Sequence, residues 1–410
     1  MIEVLIWFVT FFSLFIGIFW LQVTFLKEPE RKNYIYPSIS LIVPCWNVGC
    51  GVWKTLHSIA NLDYPKDKLQ IIAVNHGSTD NTESLIQKFI SSYPSLNITL
   101  VQKARAPNHM KAHAFNEGLK YVTSEYVGCV DADTIVMKDS LKEMMYLFEP
   151  NIGAVISIIK VNQPRTFYEK LQQIEYVFSS YIRLLMSKIN TLQTTHGALS
   201  VYRKSFFDKY GGFDENNLTE DFEVGMRMRY HGYKVILASN SFTYTFVPNS
   251  FKWFWKQRVR WYRGFIHNTI KYKSMAFNKN YGTLGWFQLP LNIFSLIIVL
   301  MMFSLMVYNL SDKVFIWVSK IFSLGLEYFN GWQIPNIYHS LLNVNLILYF
   351  PIVVSLLACL LIYIFAYKRI NEPWKFPLVI LIYFTIYPVF RSAQWVHSIY
   401  EELSKTKKKW

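Results

Sequence analysis

Residues 4–26, VLIWFVTFFSLFIGIFWLQVTFL, run for 23 positions without a charge. At about 1.5 Å per residue a helix of that length crosses a hydrocarbon core of roughly 30 Å. Glu3 precedes the run and Lys27, Arg31 and Lys32 follow it. That is the reverse of the basic start of a secretory signal peptide, and the positive flank predicts that residues 27 onward lie in the cytosol. Further apolar blocks run from Leu284 to Leu310 and from Asn345 to Tyr367, the second followed by Lys368 and Arg369. Residues 376–400 form another, interrupted by Arg391. The stretch Val314 to Phe329 carries Lys320 and Glu327 and reads equally as an interfacial amphipathic helix or as a crossing. The pattern predicts one N-terminal and three or four C-terminal spans.

Between these blocks the pattern changes. From Ser38 short β-branched runs (SISLIVPC, LQIIAVN, NITLVQ, YVGCVDAD) alternate with helical stretches such as NTESLIQKFISSY and HMKAHAFNEGLKYV. Strands separated by helices of ten or more residues predict an α/β domain with a mostly parallel sheet. The division is then a transmembrane helix at 1–30, a cytosolic domain at 38–270, membrane helices at 284–400 and a basic tail at 401–410. Ligands of such sheets sit at the carboxyl ends of the strands. Pro44 to Asn47, Asn75 to Asp80 and Asp131 to Asp133 fall there, although strand ends carry polar turn residues in any case.

Composition sharpens this division. Hydrophobic residues make up 52% and aromatics 18% of the 410 residues, with the excess at the two ends. The four cysteines, Cys45, Cys50, Cys129 and Cys359, are too few and scattered for a disulfide framework and form no CxxC pair. The formal charge of +15 does not indicate a nucleic-acid partner, because the basic residues lie mainly beside the membrane blocks.

Three groups of residues carry chemistry. Asp131 and Asp133 close an apolar strand, and two carboxylates so placed can hold a hard cation, Mg²⁺ or Mn²⁺, against a diphosphate. Thr219-Glu220-Asp221 opens a helix with Thr219 at the N-cap. Its acids either stabilise the helix dipole or supply a general base. Gln257-Arg258-Val259-Arg260-Trp261 joins a phosphate-pairing guanidinium to a ring on which a sugar could stack, or is a basic, aromatic interfacial helix.

The ordered set VDAD, LTED and QRVRW, flanked by membrane segments, resembles the processive family-2 glycosyltransferases: cellulose, chitin, hyaluronan and poly-N-acetylglucosamine synthases. The resemblance covers roughly residues 38–270. GSTDN (Gly77 to Asn81), KAHAFNEG (Lys111 to Gly118), GGFDE (Gly211 to Glu215) and RYHGYKV (Arg229 to Val235) agree with it, and KLQQIEY (Lys170 to Tyr176) most resembles the poly-N-acetylglucosamine branch. The resemblance implies a GT-A domain and inverting transfer of a sugar, N-acetylglucosamine or a related hexose, from a UDP-sugar to a β-linked polysaccharide. Asp131 and Asp133 would bind the metal and diphosphate, Asp221 would be the base beside Glu220, and Arg260 would contact the diphosphate. The donor side would further draw on Pro44, Asn47, His76, Asp80 and Lys111. The acceptor side would draw on Trp261, Gln257, His196 and Gly197. Implied partners are the UDP-sugar, a polysaccharide or lipid-linked acceptor, membrane lipids and a small accessory membrane subunit. The implied location is the plasma membrane.

The chain departs from the family in three places. Asn75-His76 stands where relatives have an acid that faces uracil, PCWNVG lacks the acid after its asparagine, and His196-Gly197 replaces a common Ser-Gly. Two other readings are a transferase that places one sugar on a polyprenyl phosphate or glycolipid, and a catalytically silent subunit of an export complex.

Overall fold

The structure, a computed structural model, describes residues 2–28, 36–104, 111–325, 346–373, 375–404 and 406. Arg31, Lys32, the far end of the Val314 to Phe329 stretch and most of the basic tail lie outside them. Helix α1 is Ile2–Thr24. The domain that follows is built on an eight-stranded sheet. Its strands are β1 (Ile39–Cys45), β2 (Leu69–Asn75), β3 (Asn97–Gln102), β4 (Tyr126–Cys129), β5 (Ile135–Val136), β6 (Ile152–Val161), β7 (Ser200–Arg203) and β8 (Lys234–Thr245). Their order is β3-β2-β1-β4-β7-β6-β8-β5. From β3 to β4 all pairings are parallel, as the strand–helix alternation predicts. The other half is mixed, with β7 antiparallel to both β4 and β6, β6 parallel to β8, and β5 antiparallel to β8. β1 and β2 are buried along nearly their whole length, which is why they read as continuous apolar runs rather than alternations.

Each face of the sheet has its own core. One packs α2 (Cys50–Ala60), α3 (Thr82–Ser92) and α5 (Ser140–Met145). The other packs α4 (Lys111–Leu119), α6 (Phe167–Lys188), α7 (Lys204–Tyr210) and α8 (Glu220–Tyr230). α6 starts with a capping box, in which Thr166 Oγ1 accepts from Glu169 N–H at 3.3 Å and Glu169 Oε2 accepts from Thr166 N–H at 2.7 Å. This second core does not stop at the membrane helices. It includes Trp20 and Val23 of α1, Ile362, Tyr363, Ala366 and Ile370 of α11 (Leu346–Ile370), Ile380 and Tyr383 of α12 (Pro377–Thr385), and Tyr387 of α13 (Tyr387–Leu403). The soluble and membrane segments, separate by composition, therefore share one hydrophobic interior.

Two expectations about the spans are corrected. Leu284–Leu324 is one helical run of 41 residues, a short π-helical turn leading into α10 (Leu289–Leu324). The described part of the stretch, Val314 to Leu324, is thus neither a separate interfacial helix nor a separate crossing. It is the far end of a helix that, at about 1.5 Å per residue, is about twice as long as a membrane is thick. The last apolar block breaks not at Arg391 but next to Pro388, where α12 and α13 meet at a bend of 48°, because proline removes a backbone donor from the helix. Among the described residues Val4–Thr24, Leu284–Leu324 and Val353–Ile370 are each long and apolar enough to cross a membrane, and the bent pair makes a fourth if it acts as one span.

Candidate active site

The strand ends are tied together before any substrate arrives. Asn47, held at φ 48 in the left-handed region that asparagine tolerates, accepts Thr79 N–H at its Oδ1 at 2.8 Å and donates its own N–H to Ser78 Oγ at 3.1 Å. His76 N–H extends the β1/β2 ladder to Cys45 O at 2.9 Å. The Asp131-Ala132-Asp133 turn is fixed by Asp131 N–H to Gly197 O at 2.8 Å and by Thr55 Oγ1–H to Ala132 O at 2.7 Å.

Around these ends lies a cavity of about 1280 Å³ that continues from the sheet to the membrane helices. Pro44, Asn47, His76, Lys111, Asp131 and Asp133 line one end, with His196, Gly197, Glu220, Asp221, Gln257, Arg260 and Trp261 further in. The membrane side adds Asn292, Ser295, Tyr383, Tyr387, Arg391 and Trp395. Asp80 is the exception. It does not line the cavity; its carboxylate accepts Thr82 N–H at 3.0 Å and is used to start α3.

The carboxylates divide into two pairs. Asp131 forms an ion pair with Lys111, and Gly197 is glycine because a Cβ there would lie 2.5 and 2.7 Å from the Asp131 oxygens. Asp133 opens onto the cavity; enclosure by its walls, then the charge of Asp131, pushes its carboxyl up to about 6. Glu220 and Asp221 open α8. Burial, then the charge of Asp221, pushes Glu220 up to about 7, and burial also raises Asp221 despite Lys111 nearby. Asp221 Oδ1 accepts Phe222 N–H at 2.8 Å. Thr219 is at the N-cap but makes no side-chain cap bond; its hydroxyl is taken by Asn268 Nδ2–H at 3.2 Å instead.

Helix α9 (Phe251–Lys271) delivers the third group. Gly264 lets it lie directly on Thr219, where a Cβ would meet Thr219 Cγ2 at 2.5 Å, and this brings Arg260 to the mouth of α8. Arg260 Nη1 donates to Leu218 O at 3.0 Å. Sequence reading missed Glu175, Ser179 and Arg183, which face the cavity from α6. Their spacing at every fourth residue is the helical signal that would have found them. His196 is buried, its Nε2–H donates to Ser157 O at 2.8 Å, and burial and then the Arg183 charge push its pKa down to about 3. It is neutral and faces the cavity as a dipole.

Among the described residues no three His, Cys, Asp or Glu side chains converge as a complete cation cage. The Asp131 and Asp133 carboxylates nonetheless fit a hard divalent ion that takes its other ligands from phosphate and water, the usual arrangement for Mg²⁺.

Comparison with known proteins follows this geometry. Residues 37–264 match the family described as glycosyltransferase like family 2. Over 272 residues the chain is 30% identical to a poly-beta-1,6-N-acetyl-D-glucosamine synthase of Staphylococcus epidermidis, covering 63% of this chain and 64% of that one. A protein of the same name from Staphylococcus aureus is 29% identical over the same coverage. The match thus spans somewhat less than two thirds of these relatives' own length. Among solved structures, a mannosyltransferase from Pyrobaculum calidifontis in complex with GDP-Man and Mn²⁺ superposes with a TM-score of 0.60 at 18% identity, covering 99% of this chain and 100% of that one. At that identity the likeness is one of fold. A GT-A-like sheet whose strand ends carry the carboxylates, and a family match that runs from the residues just before β1 into α9, together place this chain in glycosyltransferase family 2.

Proposed function

We propose that this chain transfers N-acetylglucosamine or a related hexose from a UDP-sugar to a growing β-linked polysaccharide, by a single inverting displacement. The observation that carries this reading is the continuity of the cavity from Asp131 and Asp133 through Asp221 to the membrane helices. A donor can enter from the sheet side while an acceptor lies along the membrane side. The relatives named as poly-beta-1,6-N-acetyl-D-glucosamine synthases support the choice of sugar.

Asp131 and Asp133 would hold Mg²⁺ or Mn²⁺, which when bound neutralises charge on the departing diphosphate. Lys111, now paired to Asp131, is close enough to the same site to share its ammonium with a phosphate, and Arg260 approaches from α9. His76 sits at the strand end where a nucleobase would lie, its Nε2 3.2 Å from His113 Nδ1. Asp221 is the better base of the acidic pair. It is more open to the cavity than Glu220, which is only 2% exposed. The acceptor hydroxyl gives its proton to Asp221 as its oxygen attacks the anomeric carbon and the bond to the diphosphate breaks. Trp261 offers the ring on which the acceptor sugar packs.

The test is purified protein in liposomes, supplied with radiolabelled nucleotide-sugars and Mg²⁺ or Mn²⁺. A polymer made from UDP-N-acetylglucosamine is expected. One sugar added to a lipid would favour the polyprenyl phosphate or glycolipid reading, and no transfer from any donor would favour a silent subunit. Orientation has its own check. Cys50 is an exposed thiol of the catalytic domain, so a membrane-impermeant maleimide should label it only after permeabilisation; labelling in intact cells would place the domain outside.

A further inference from the structure

The structure separates the two arginines of α9. Arg260 faces the start of α8, while Arg258 points the opposite way and is fully buried. Its Nη2–H donates to Glu175 Oε2 at 2.6 Å and its Nη1–H to Gln257 Oε1 at 2.5 Å. Its guanidinium carbon lies 4.2 Å from the Trp261 ring centroid and 4.8 Å from that of Phe254. The other oxygen of Glu175 accepts the Tyr387 hydroxyl at 3.1 Å. One guanidinium therefore touches α6 and two cavity-lining residues of its own helix, and through Glu175 it reaches the membrane segment.

A buried ion pair contributes little net stability, because removing both charges from water cancels most of the attraction. What this pair supplies is geometry. A planar fork can donate in two directions within its plane while its flat face rests on a ring, and a lysine ammonium cannot do both.

We propose that Arg258 is a positioning residue for acceptor binding: with Glu175 and Tyr387 it holds Trp261 and Gln257 in the orientation against which the acceptor sugar packs, and it ties that orientation to α13. The proposal rests on the reading of Trp261 as an acceptor contact.

The test compares Arg258→Lys, Arg258→Met, Tyr387→Phe and Trp261→Ala in liposomes. It measures UDP affinity, the KM for an N-acetylglucosamine oligomer and product length. Both Arg258 variants should raise the oligomer KM by about tenfold or more, as misplacement of a binding group does, or shorten the product, with UDP affinity unchanged. Tyr387→Phe, which removes only one hydroxyl, should act in the same direction and less. Arg258→Lys should add little to Trp261→Ala, because the two act as one unit. A wild-type oligomer KM and product length in Arg258→Lys and Tyr387→Phe, with Trp261→Ala impaired, would overturn the proposal. Equal loss of UDP affinity and acceptor use in the Arg258 variants would also overturn it, since that is the mark of a purely structural residue. If Trp261→Ala itself binds the oligomer normally, the acceptor reading of Trp261 fails instead.

Discussion

The two ends of the cavity are built on opposite electrostatic plans. At the sheet end, carboxylates crowd one another: Asp133 and Glu220 are held well above the ordinary carboxylate range, and the Lys111 ammonium faces three acids, Asp131, Glu220 and Asp221. At the membrane end the Arg258 charge is satisfied internally, by Glu175 at 2.6 Å. The first plan stores unfavourable negative charge that a bound divalent cation would relieve. The second spends its charges on shape. Substitutions at the sheet end should therefore change binding and rate, whereas those at the membrane end should change how the acceptor is held.

The strongest way to break this contrast is Asp221→Asn. Loss of a general base costs about 10² to 10⁴ in rate, so transfer should fall by that much while UDP affinity, measured calorimetrically, stays within a few-fold. Activity close to wild type would remove Asp221 from the role. Next is Asp133→Ala, which should erase the difference between UDP titrations with and without Mn²⁺; an unchanged difference would move the metal elsewhere.

A third measurement tests the stored charge through pH. Glu220 binds its proton more tightly in the folded chain, about 7, than at its usual value of 4.5. Between those values the native state holds more protons than the unfolded one, so its stability falls as pH rises through the window and the penalty stays in place above it. Glu220→Gln should then raise the melting temperature at pH 8 and leave it nearly unchanged near pH 4.5. A gain of equal size at both pH values would mean that charge is not the cause. The smallest effect is expected at His76, where Ala should weaken UDP binding by the ~1 kcal/mol of one hydrogen bond. Equal affinity in the two proteins would show that His76 does not touch the base.

The same contrast explains what the sequence disclosed. The sheet-end residues are legible because each sits at or just beyond the end of a strand, so Pro44, Asn47, His76, Asp131 and Asp133 need only the strand pattern and the rule that ligands lie at strand ends. Asp80 is not among the cavity-lining residues, and its carboxylate accepts Thr82 N–H, since an acid in a turn serves equally well to start a helix. The membrane-end residues were hidden for a different reason. Glu175, Ser179 and Arg183 lie on one helix, and which face of a helix meets a cavity depends on partners tens to hundreds of residues away. The antiparallel half of the sheet is equally hidden, since β7 is four residues long and pairs with β4, another strand of four. Helix length is not legible at Val314, because charged residues such as Lys313 and Lys320 lower the hydropathy of a helix without ending it.

The interior shared by the sheet and the spans has a practical consequence for dissecting this protein. Cutting the chain to residues 38–270 would remove Trp20, Val23, Ile362, Tyr363, Ala366, Ile380 and Tyr387 from the core that contains Leu171, Ile174, Tyr181 and Leu185 of α6. The cut would turn that face of α6 into an exposed apolar patch of the kind that drives aggregation. The catalytic domain is thus a water-facing lobe of a membrane protein rather than a soluble enzyme on a tether, and the detergent or lipid around its helices is part of what keeps its active site folded.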